Sequence, residues 1–451
     1  MKILFLYDFP LWGNGSGAYL RSLVKELVKM DHEVGIIAPE ERRFLESKIK
    51  QYRVDAPQIP VFNSHPELKG AKRYSELSPR EITEIYEAYL ETTMEAIFNF
   101  DPDVLHVNHL ALITWPARYV SALMDTKYVV TVHGSCLTNT VENQRYFSLT
   151  EDAVREAKVL TMVSKSTKDR FFEHFDEDDV TRSRIIPGGV DISNFPKEID
   201  TSHIEDKYNL KDKKVVFFAG RLTSEKGMEY LVEAADKIDG EIFIAGEGAM
   251  RKDLEKMIAK NNLGNVHLLG YLLTEELIPF YYRADVFVCP SVVAEAFGLT
   301  ITEAMAARTP VIATKKGGIP LIVKDDKNGL FIKERDADDI AKKCNELLND
   351  DEKRKEMGER ARQDIEEKFT WRRVAERFEF LYKIVTGEYY RERRKKRKEN
   401  GDEENGNESK SLYRMKKAEL VEKAEEEDIS FDKDDTTRKE LIKKIKAKLD
   451  K

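Results

Sequence analysis

The sequence predicts an α/β protein with two Rossmann-like domains, each a parallel sheet flanked by helices. Short apolar runs alternate with longer segments of helical period, which is the pattern of βα repeats over a parallel sheet. The runs form two sets, and a stretch rich in Asp, Lys and Asn around residues 197–213 separates them as a linker would. At 451 residues the chain is long enough for about two or three domains.

The first set of apolar runs predicts an N-terminal domain. An amphipathic helix is expected at residues 18–30. Residues 40–100 are polar, helical in part and without a motif that we can interpret. The predicted strands cover residues 3–7, 33–38, 104–107, 128–132 and 159–163.

The second set of apolar runs predicts a second domain of the same class. Its expected strands cover residues 215–219, 241–245, 266–268, 286–289, 310–313 and 329–332, with helices between them. Residues 370–385 then carry an apolar stripe of helical period, so we expect a long helix that closes the body of the protein. The stripe consists of Trp371, Val374, Phe378, Leu381, Tyr382 and Val385.

We expect five segments along the chain. Residues 391–398 are almost wholly basic and residues 399–411 have no apolar content, so a disordered linker is expected there. The segments are an N-terminal domain at 1–195, a second domain at 196–370, the closing helix at 371–390, the linker at 391–411 and a small helical domain at 412–451.

Composition excludes several classes of protein. The net charge is −8 from 75 basic and 83 acidic residues, so no overall field favours nucleic acid. Three widely spaced cysteines, Cys136, Cys289 and Cys344, argue against a disulfide framework or a zinc site and favour a cytoplasmic setting. No stretch reaches the ~20 apolar residues that span a bilayer, so any membrane contact is expected to be peripheral.

The most informative motif follows the predicted strand at 286–289. Glu295 lies in a loop before the turn Phe297-Gly298, and Glu303 lies on the first or second turn of the helix that follows. Both carboxylates can therefore face a ligand at the carboxyl end of the sheet, and the N–H groups at the helix start suit a phosphate. From the spacing alone, two solvated glutamates on the surface are the favoured alternative.

A second motif follows the predicted strand at 215–219. Arg221 and Lys226 lie five residues apart across a turn. Two cations at a strand's carboxyl end can bind a diphosphate in place of a metal and can stabilise it as a leaving group. The alternative is an ordinary surface pair.

Two weaker signals come from the N-terminal domain. Gly15-Ser16-Gly17 form a loop before the first helix whose backbone can approach a phosphate, although the spacing misses the dinucleotide fingerprint. His133 ends the strand at 128–132 and so faces the expected cleft, although a lone histidine is as often structural.

Together these motifs resemble the family-4 retaining glycosyltransferases of the GT-B fold, in the group 1 glycosyl transferases, over about residues 1–387. The matching positions are Gly15-Ser16-Gly17, His133-Gly134, the segment 185–191, Gly220-Arg221-Leu222 with Glu225-Lys226-Gly227, the pair Glu295 and Glu303, and Gly317-Gly318-Ile319-Pro320.

The resemblance implies a role for each site residue of the second domain. Arg221 and Lys226 would neutralise the diphosphate of a nucleotide-sugar donor. Glu303 would bind the ribose hydroxyls, and Glu295 would bind the hydroxyls of the transferred sugar. Further donor contacts are implied for Phe297 and Gly298 through their backbone, and for Gly246, Gly270 and Tyr271 beside the nucleobase pocket.

The resemblance also implies roles in the N-terminal domain and a mechanism. The loop at residues 15–17 would meet the phosphates, and His133 would lie near the anomeric carbon. Transfer would retain the anomeric configuration, with the leaving phosphate taking the acceptor's proton and with no metal or cofactor. The acceptor would be a lipid, a glycan or a small sugar, alternatives that stay open, and these motifs do not distinguish the donor bases.

Three positions bear on how well the resemblance holds. Gly188 stands where Asn is usual, which we expect to matter little because both residues tolerate positive φ. Arg308 stands where Gly is common, which questions the usual helix C-cap. Asp101-Pro102-Asp103 looks like a metal-binding Asp-x-Asp motif but precedes a strand, so we interpret it as a turn.

Residues 412–451 resemble the small helical domains at the N-terminus of transcription terminator Rho and in SAP-type modules. Glu425-Glu426-Glu427-Asp428 would repel phosphates, so docking to protein, or stabilisation alone, is favoured over nucleic acid. The basic run at 391–398 is expected either to touch anionic lipid at a membrane surface or to be a solvated linker.

Two other functions stay open on the sequence. A GT-B epimerase or phosphorylase would need acid/base groups or a cofactor-bearing lysine that we do not identify. A catalytically silent sugar-binding scaffold would make the helical tail the working part, and the complete set of Arg221, Lys226, Glu295 and Glu303 argues against it.

Overall fold

The computed structural model of the chain describes residues 1–62, 68, 70–176 and 182–392. Residues Met1–Thr386 form one unit and Gly387–Lys451 a second. The first unit contains two parallel sheets. We call each sheet, together with the helices that pack on it, a lobe, numbered first and second along the chain. The first sheet consists of β1 (Lys2–Tyr7), β2 (Glu33–Ala38), β3 (Ile49–Arg53), β4 (Val104–Asn108), β5 (Tyr128–Val132), β6 (Val159–Met162) and β7 (Ser183–Ile185).

The second sheet is built in the same way. It consists of β8 (Val215–Ala219), β9 (Glu241–Ala245), β10 (Val266–Gly270), β11 (Val286–Cys289), β12 (Val311–Thr314) and β13 (Gly329–Ile332). The strand orders are β3-β2-β1-β4-β5-β6-β7 and β10-β9-β8-β11-β12-β13. Each order reverses once, between β1 and β4 and between β8 and β11, and open α/β sheets bind ligands beyond the carboxyl ends of the strands at such switch points.

Helices connect the strands along the described residues. In the first lobe they are α1 (Gly15–Lys29), α2 (Pro79–Phe100), α3 (Thr114–Met124), α4 (Gly134–Glu142), α5 (Phe147–Glu156) and α6 (Lys165–Phe172). The helices that follow along the chain are α7 (Ser202–Tyr208), α8 (Met228–Glu233), α9 (Arg251–Lys260), α10 (Thr274–Arg283), α11 (Leu299–Ala306), α12 (Ile319–Ile322), α13 (Ala337–Leu348), α14 (Asp351–Lys368) and α15 (Trp371–Thr386).

Both faces of the second sheet are covered, which explains its continuous apolar strands. In β8, Val215 and Phe217 pack into one buried cluster while Val216 and Phe218 pack into another. Successive side chains of a strand point to opposite faces, so a run that is apolar at every position belongs to a sheet with helices on both sides. The two-sheet architecture predicted from these runs is therefore confirmed.

Three elements differ from the sequence prediction. Strands β3 and β7 were not predicted because they lie at the edges of the first sheet, where half-exposed residues replace an apolar run. The segment expected to be a plain linker at 197–213 contains α7, and Ile204 and Leu210 are buried in the second lobe. Its polar composition reflects its outer face, so this interpretation was wrong.

Helix α15 crosses back and packs on the first lobe. Val374 and Phe378 are fully buried in the first lobe's core, and Tyr382 donates or accepts a 2.6 Å hydrogen bond with Nδ1 of His106 on β4. The first lobe therefore needs residues from both ends of the unit Met1–Thr386.

The chain passes between the lobes through two paired segments. The N–H of Val190 donates to the carbonyl of Phe369, and the N–H of Trp371 donates to the carbonyl of Val190. A Cβ on Gly189 would lie 2.8 Å from the backbone nitrogen of Trp371. This close approach explains a glycine in the Pro187-Gly188-Gly189 turn without invoking positive φ.

Most of the predicted linker and the whole of the predicted helical domain at 412–451 lie outside the described residues. Across the described part of the chain, no helix combines the length and the apolar content needed to cross a membrane.

Candidate active site

Two loops meet at the switch point of the second sheet. One follows β8 and carries Arg221 and Lys226, and the other follows β11 and carries Glu295. The N–H of Val292 in the second loop donates a 2.9 Å hydrogen bond to the carbonyl of Glu225 in the first. Gly227 permits this contact because it has φ +67° and because a Cβ there would lie 2.2 Å from the carbonyl oxygen of Pro290.

The cation and the carboxylate of these loops are bonded to each other. Nζ of Lys226 lies 2.5 Å from Oε1 of Glu295, with side-chain exposures of 22% and 14%. The Ser291 hydroxyl donates to the same carboxylate oxygen. Burial raises the pKa of Glu295, but Lys226, Ser291 and Arg221 outweigh burial and hold that pKa below its usual value.

A glycine pair supports the Glu295 loop from behind. The N–H of Gly318 donates a 2.6 Å hydrogen bond to the carbonyl of Glu295. A Cβ on Gly317, which has φ +58°, would lie 2.2 Å from that carbonyl oxygen, and a Cβ on Gly318 would lie 2.5 Å from that of Ala296. The Gly317-Gly318 motif is therefore explained by close packing against the loop that carries the carboxylate.

Helix α11 begins at the turn that the sequence singled out. Gly298 has φ +111° and is the N-cap of α11, while Phe297 is buried beside it. A Cβ on Gly188 would lie 2.8 Å from Cδ1 of Phe297, and Gly188 does not have positive φ. The conformational explanation offered for Gly188 was therefore wrong, and close packing against Phe297 replaces it.

Glu303 lies on the second turn of α11 and is bonded to α10. The hydroxyl of Tyr281 donates a 2.6 Å hydrogen bond to Oε2 of Glu303. Burial raises the pKa of Glu303 to about 7, and the hydrogen bond from Tyr281 opposes that shift only in part. The two carboxylates thus differ in charge state near neutral pH, because only Glu295 has a cation beside it.

The other residues of the second lobe that were predicted to contact the donor lie at the ends of β9 and β10. Gly246 has φ +139°, and its N–H donates a 2.7 Å hydrogen bond to the carbonyl of Gly270. A Cβ on Gly246 would lie 1.8 Å from the carbonyl oxygen of Gly220, so no other residue fits there. Tyr271 follows β10 and is 71% exposed.

In the first lobe, the predicted glycine loop is the first turn of a helix. Helix α1 begins at Gly15, three residues earlier than expected, and Asn14 is its N-cap with a 2.6 Å hydrogen bond from the N–H of Gly17. The expectation that Gly15, Ser16 and Gly17 form a loop was therefore wrong. A Cβ on Gly15 would meet no atom within 4 Å. A helix N-terminus directs free N–H groups outward, so the change keeps the suitability for phosphate.

His133 follows β5 as predicted but is buried. It is the N-cap of α4 and is 8% exposed, with its ring 5.3 Å from that of Tyr19 and 5.0 Å from that of His109. Burial, and then the neighbouring histidines, lower its pKa well below the usual value, so the ring is neutral. Its Nε2 is buried without a hydrogen-bond partner among the described residues.

The two lobes approach each other beside His133. A Cβ on Gly134 would lie 3.4 Å from Cβ of Ala296, which is van der Waals contact. Ala296 follows Glu295, and it packs against the core of the first lobe. The structure therefore places His133 of the first lobe next to the loop that carries Glu295.

Sequence reasoning missed two residues that hold the carboxylates. Ser291 lies two residues after β11, at the start of the loop that carries Glu295, so its position was a usable signal. Tyr281 lies on α10, 22 residues before Glu303, and reads as one member of an apolar stripe, which gives no signal. Only the folded chain brings it to Glu303.

Two departures from the expected pattern have structural explanations. Arg308 adopts φ +64°, the conformation that glycine would adopt there, and its guanidinium is held by Glu359 at 3.0 Å. Asp101 ends α2 with φ +51°, and Asp103 accepts a hydrogen bond from the N–H of Lys2. In the described part of the chain, no group of three or more acidic, His or Cys residues lies together as a metal site would. Metal independence stays a prediction.

Comparisons with known proteins identify the family. A model of the family described as glycosyl transferases group 1 matches residues 200–364, and one described as glycosyltransferase family 4 matches residues 13–194. An uncharacterized glycosyltransferase of Methanocaldococcus jannaschii is 32% identical over 276 residues, covering 60% of this chain and 72% of that protein.

Solved structures show the same fold. Sucrose-phosphate synthase from Thermosynechococcus elongatus aligns with a TM-score of 0.70 and 22% identity, covering 86% of this chain and 99% of that one. Anabaena HepE, solved in complex with UDP and glucose, aligns with a TM-score of 0.65 and 19% identity, covering 84% and 99%. With its two facing parallel-sheet lobes and both family models matched, the chain belongs to the group 1 glycosyltransferases of the GT-B fold.

Proposed function

We propose that this chain is a retaining glycosyltransferase that moves a sugar from a nucleoside-diphosphate sugar to a hydroxyl of a lipid, a glycan or a small sugar, without a metal. The observation that carries the proposal is the bonding of Lys226 to Glu295 at the switch point of the second sheet, with Arg221 beside them. Two cations and a carboxylate thus converge where an open α/β sheet binds its ligand.

The cations suit the diphosphate of the donor. Arg221 is exposed and Lys226 is partly exposed, so both can reach a ligand without unfolding a core. A guanidinium pairs with two phosphate oxygens and an ammonium acts as a point charge, so together they can neutralise a diphosphate that a metal would otherwise hold. The complex of HepE with UDP supports a nucleotide site in this fold.

The other residues suit the two sugars of the donor. Glu303, on α11, would accept hydrogen bonds from the ribose hydroxyls, and Glu295 would accept them from the transferred sugar. Glu295 first has to exchange its bond with Lys226 for bonds with that sugar. The neutral ring of His133 lies next to the Glu295 loop, where it can contact the sugar without attracting an anion.

The reaction needs no protein nucleophile. The bond between the anomeric carbon and the donor's phosphate oxygen breaks, and a bond from that carbon to the acceptor oxygen forms on the same face. The acceptor's proton passes to the departing phosphate oxygen. Arg221 and Lys226 stabilise the negative charge that develops on the leaving nucleoside diphosphate, which is electrostatic catalysis.

The test begins with binding. We expect one of UDP, GDP or ADP, together with its nucleotide sugars, to raise the melting temperature of the full chain. The shift should be equal with and without EDTA. Lys226→Ala should abolish that shift. Lys237→Ala is the matched control, because Lys237 is a surface lysine of the same lobe that is paired with Asp338. Loss of the shift in EDTA would contradict the metal-free site.

The second measurement is turnover. Wild-type protein should release the nucleoside diphosphate from the nucleotide sugar that raises its melting temperature. NMR of the sugar product should show that the anomeric configuration is retained. Donor hydrolysis that persists in both Lys226→Ala and Glu295→Gln would assign the chemistry elsewhere. Failure of every nucleotide to stabilise the protein would favour a scaffold.

A further inference from the structure

A second pair of polar residues lies at the switch point of the first sheet. Asp8 follows β1 and His109 follows β4, and the last residues of these strands, Tyr7 and Asn108, are neighbours in the register. Oδ1 of Asp8 lies 2.5 Å from Nδ1 of His109, and both side chains are only 1% exposed. The arrangement repeats, in the first lobe, the place that Lys226 and Glu295 occupy in the second.

Asp8 orients the ring of His109. Its other oxygen accepts a 2.9 Å hydrogen bond from the hydroxyl of Tyr74, whose backbone carbonyl is held in turn by the hydroxyl of Tyr146. A carboxylate can only accept here, so Nδ1 of His109 carries the proton. Nε2 is therefore the ring nitrogen that is left to bond a ligand.

Nε2 of His109 is buried and has no partner among the described residues. His106, on β4, is the contrasting case, since both of its ring nitrogens make 2.6 Å hydrogen bonds, to Tyr382 and to Thr131. A buried polar atom without a partner destabilises a folded protein, because its desolvation is not compensated. Both ring nitrogens of His106 are thus bonded within the core, whereas Nε2 of His109 is left without a partner among the described residues.

The backbone at His109 is also unusual. Its φ is +106°, a strained conformation that a residue with a side chain rarely adopts. Next to it, Nδ2 and Oδ1 of Asn108 are buried without partners among the described residues, as is Nε2 of His133. Strain and unpaired polar atoms therefore coincide at one place, the carboxyl edge of the first sheet.

We propose that His109 binds the hydroxyl of the acceptor that receives the sugar, and that Asp8 is its positioning residue. This inference rests on the proposed function. The donor groups Arg221, Lys226 and Glu303 all belong to the second lobe, so the other substrate has to meet them from the first. The ring of His109 lies 5.0 Å from that of His133, so the acceptor hydroxyl is held one ring away from the transferred sugar.

Water is the acceptor probe, because donor hydrolysis needs no knowledge of the natural acceptor. We expect His109→Leu to lower the kcat of donor hydrolysis about tenfold or more, the loss of one hydrogen bond, with the KM for the nucleotide sugar within twofold of wild type. His109→Gln, whose carbonyl oxygen replaces Nε2, should retain an intermediate kcat. At constant KM, kcat should therefore decrease in the order wild type, His109→Gln, His109→Leu.

His106→Leu and His106→Gln are the matched controls. They remove bonds to Tyr382 and Thr131, so they should lower the melting temperature while leaving kcat within twofold of wild type. Wild-type kcat in His109→Leu, or a rise in KM in place of a fall in kcat, would overturn the proposal. So would an equal loss of kcat in the His106 and His109 variants.

A second variant covers the case in which His109→Leu fails to fold. Asp8→Asn keeps the size of the side chain but can donate to Nδ1, which moves the ring proton to Nε2. We expect its kcat to fall while the donor-induced shift in melting temperature is unchanged, and ¹⁵N NMR should report the changed tautomer of His109. An altered tautomer with full kcat would overturn the role of His109. A wild-type protein that binds and hydrolyses no nucleotide sugar would overturn the proposed function itself.

Discussion

Lys226 and Glu295 come from different loops, after β8 and after β11, and their side chains are bonded at 2.5 Å. In the proposed reaction they contact different parts of the donor, the diphosphate and the transferred sugar. The donor therefore has to replace their mutual bond with two new ones. The ion pair holds both side chains at the switch point, and it also competes with the ligand.

That competition gives the first prediction. Glu295→Gln frees Lys226, so the nucleoside diphosphate without a sugar should bind at least as tightly as to wild type, while transfer falls about 100-fold or more. Lys226→Ala should weaken the binding of the same ligand about 10- to 100-fold, because hydrogen bonds to charged groups contribute about 1.5–3 kcal/mol. Isothermal titration calorimetry measures both.

The control for these variants is Lys237→Ala, which removes a surface ion pair with Asp338 in the same lobe. Its nucleotide affinity should equal that of wild type, since exposed pairs contribute little. If Glu295→Gln and Lys226→Ala weakened the binding of the nucleoside diphosphate equally, the ion pair would be needed as a unit to bind it.

The second prediction concerns pH. Burial raises the pKa of Glu303 to about 7, and the ionised form offers the ribose hydroxyls more acceptor sites. Affinity for a nucleotide sugar should therefore rise as pH increases from 6 to 8, by up to about tenfold per unit below the pKa. A nucleotide sugar is the right ligand because its diphosphate is esterified at both ends and does not titrate in this range.

Two variants test the assignment to Glu303. Glu303→Gln should bind weakly with no pH dependence in this range. Tyr281→Phe removes a hydrogen bond that favours the ionised form, so the rise in affinity should move to higher pH. The raised pKa also stabilises the free protein below pH 4.5, the usual value, and that contribution is lost as pH rises through 7. Identical pH profiles for wild type and Glu303→Gln would assign the dependence to another group.

The third prediction concerns the contact between the two site loops. A Cβ on Gly227 would lie 2.2 Å from the carbonyl oxygen of Pro290, so Gly227→Ala should separate the loops. Donor binding should weaken about tenfold or more, with a loss of stability of about 1–3 kcal/mol from the clash and the positive φ. Gly264→Ala, at an exposed glycine with open space around it, should change neither quantity.

The fourth prediction concerns α15. Phe378 is fully buried in the core of the first lobe and Phe380, two residues on, is 50% exposed. Phe378→Ala should lower the free energy of unfolding by about 3–5 kcal/mol, and Phe380→Ala by less than about 1 kcal/mol. Chemical denaturation of the full chain measures both. Similar losses in the two variants would show that α15 does not belong to the first lobe's core.

Much of the second lobe could be predicted from the sequence. The predicted strands 215–219, 241–245, 286–289 and 329–332 coincide with β8, β9, β11 and β13. Strands buried on both faces are apolar at nearly every position and are bounded by polar turns, so the sequence marks their ends. The same pattern placed Arg221, Lys226 and Glu295 in the loops that follow strands, which is where the structure has them.

Other elements could not be predicted for equally physical reasons. Edge strands β3 and β7 are half exposed, so they lack an apolar run. Helix α1 begins with Gly15-Ser16-Gly17, residues with poor helix propensity, and its start is decided by the cap from Asn14. Asp8 and His109 also follow strands, as His133 does, and the same rule would have selected them.

The sequence by itself determined the fold class and the order of the residues that follow each strand, because both depend on short-range periodicity. The tertiary structure alone decided which side chains meet. Tyr281 reaches Glu303, Tyr382 of α15 reaches His106 across 276 residues, and Asp8 rather than a nearer acid orients His109 across 101. Such pairs form because the strand order reverses at the switch points and because the chain returns to the first lobe at α15. No local pattern in the sequence encodes either feature.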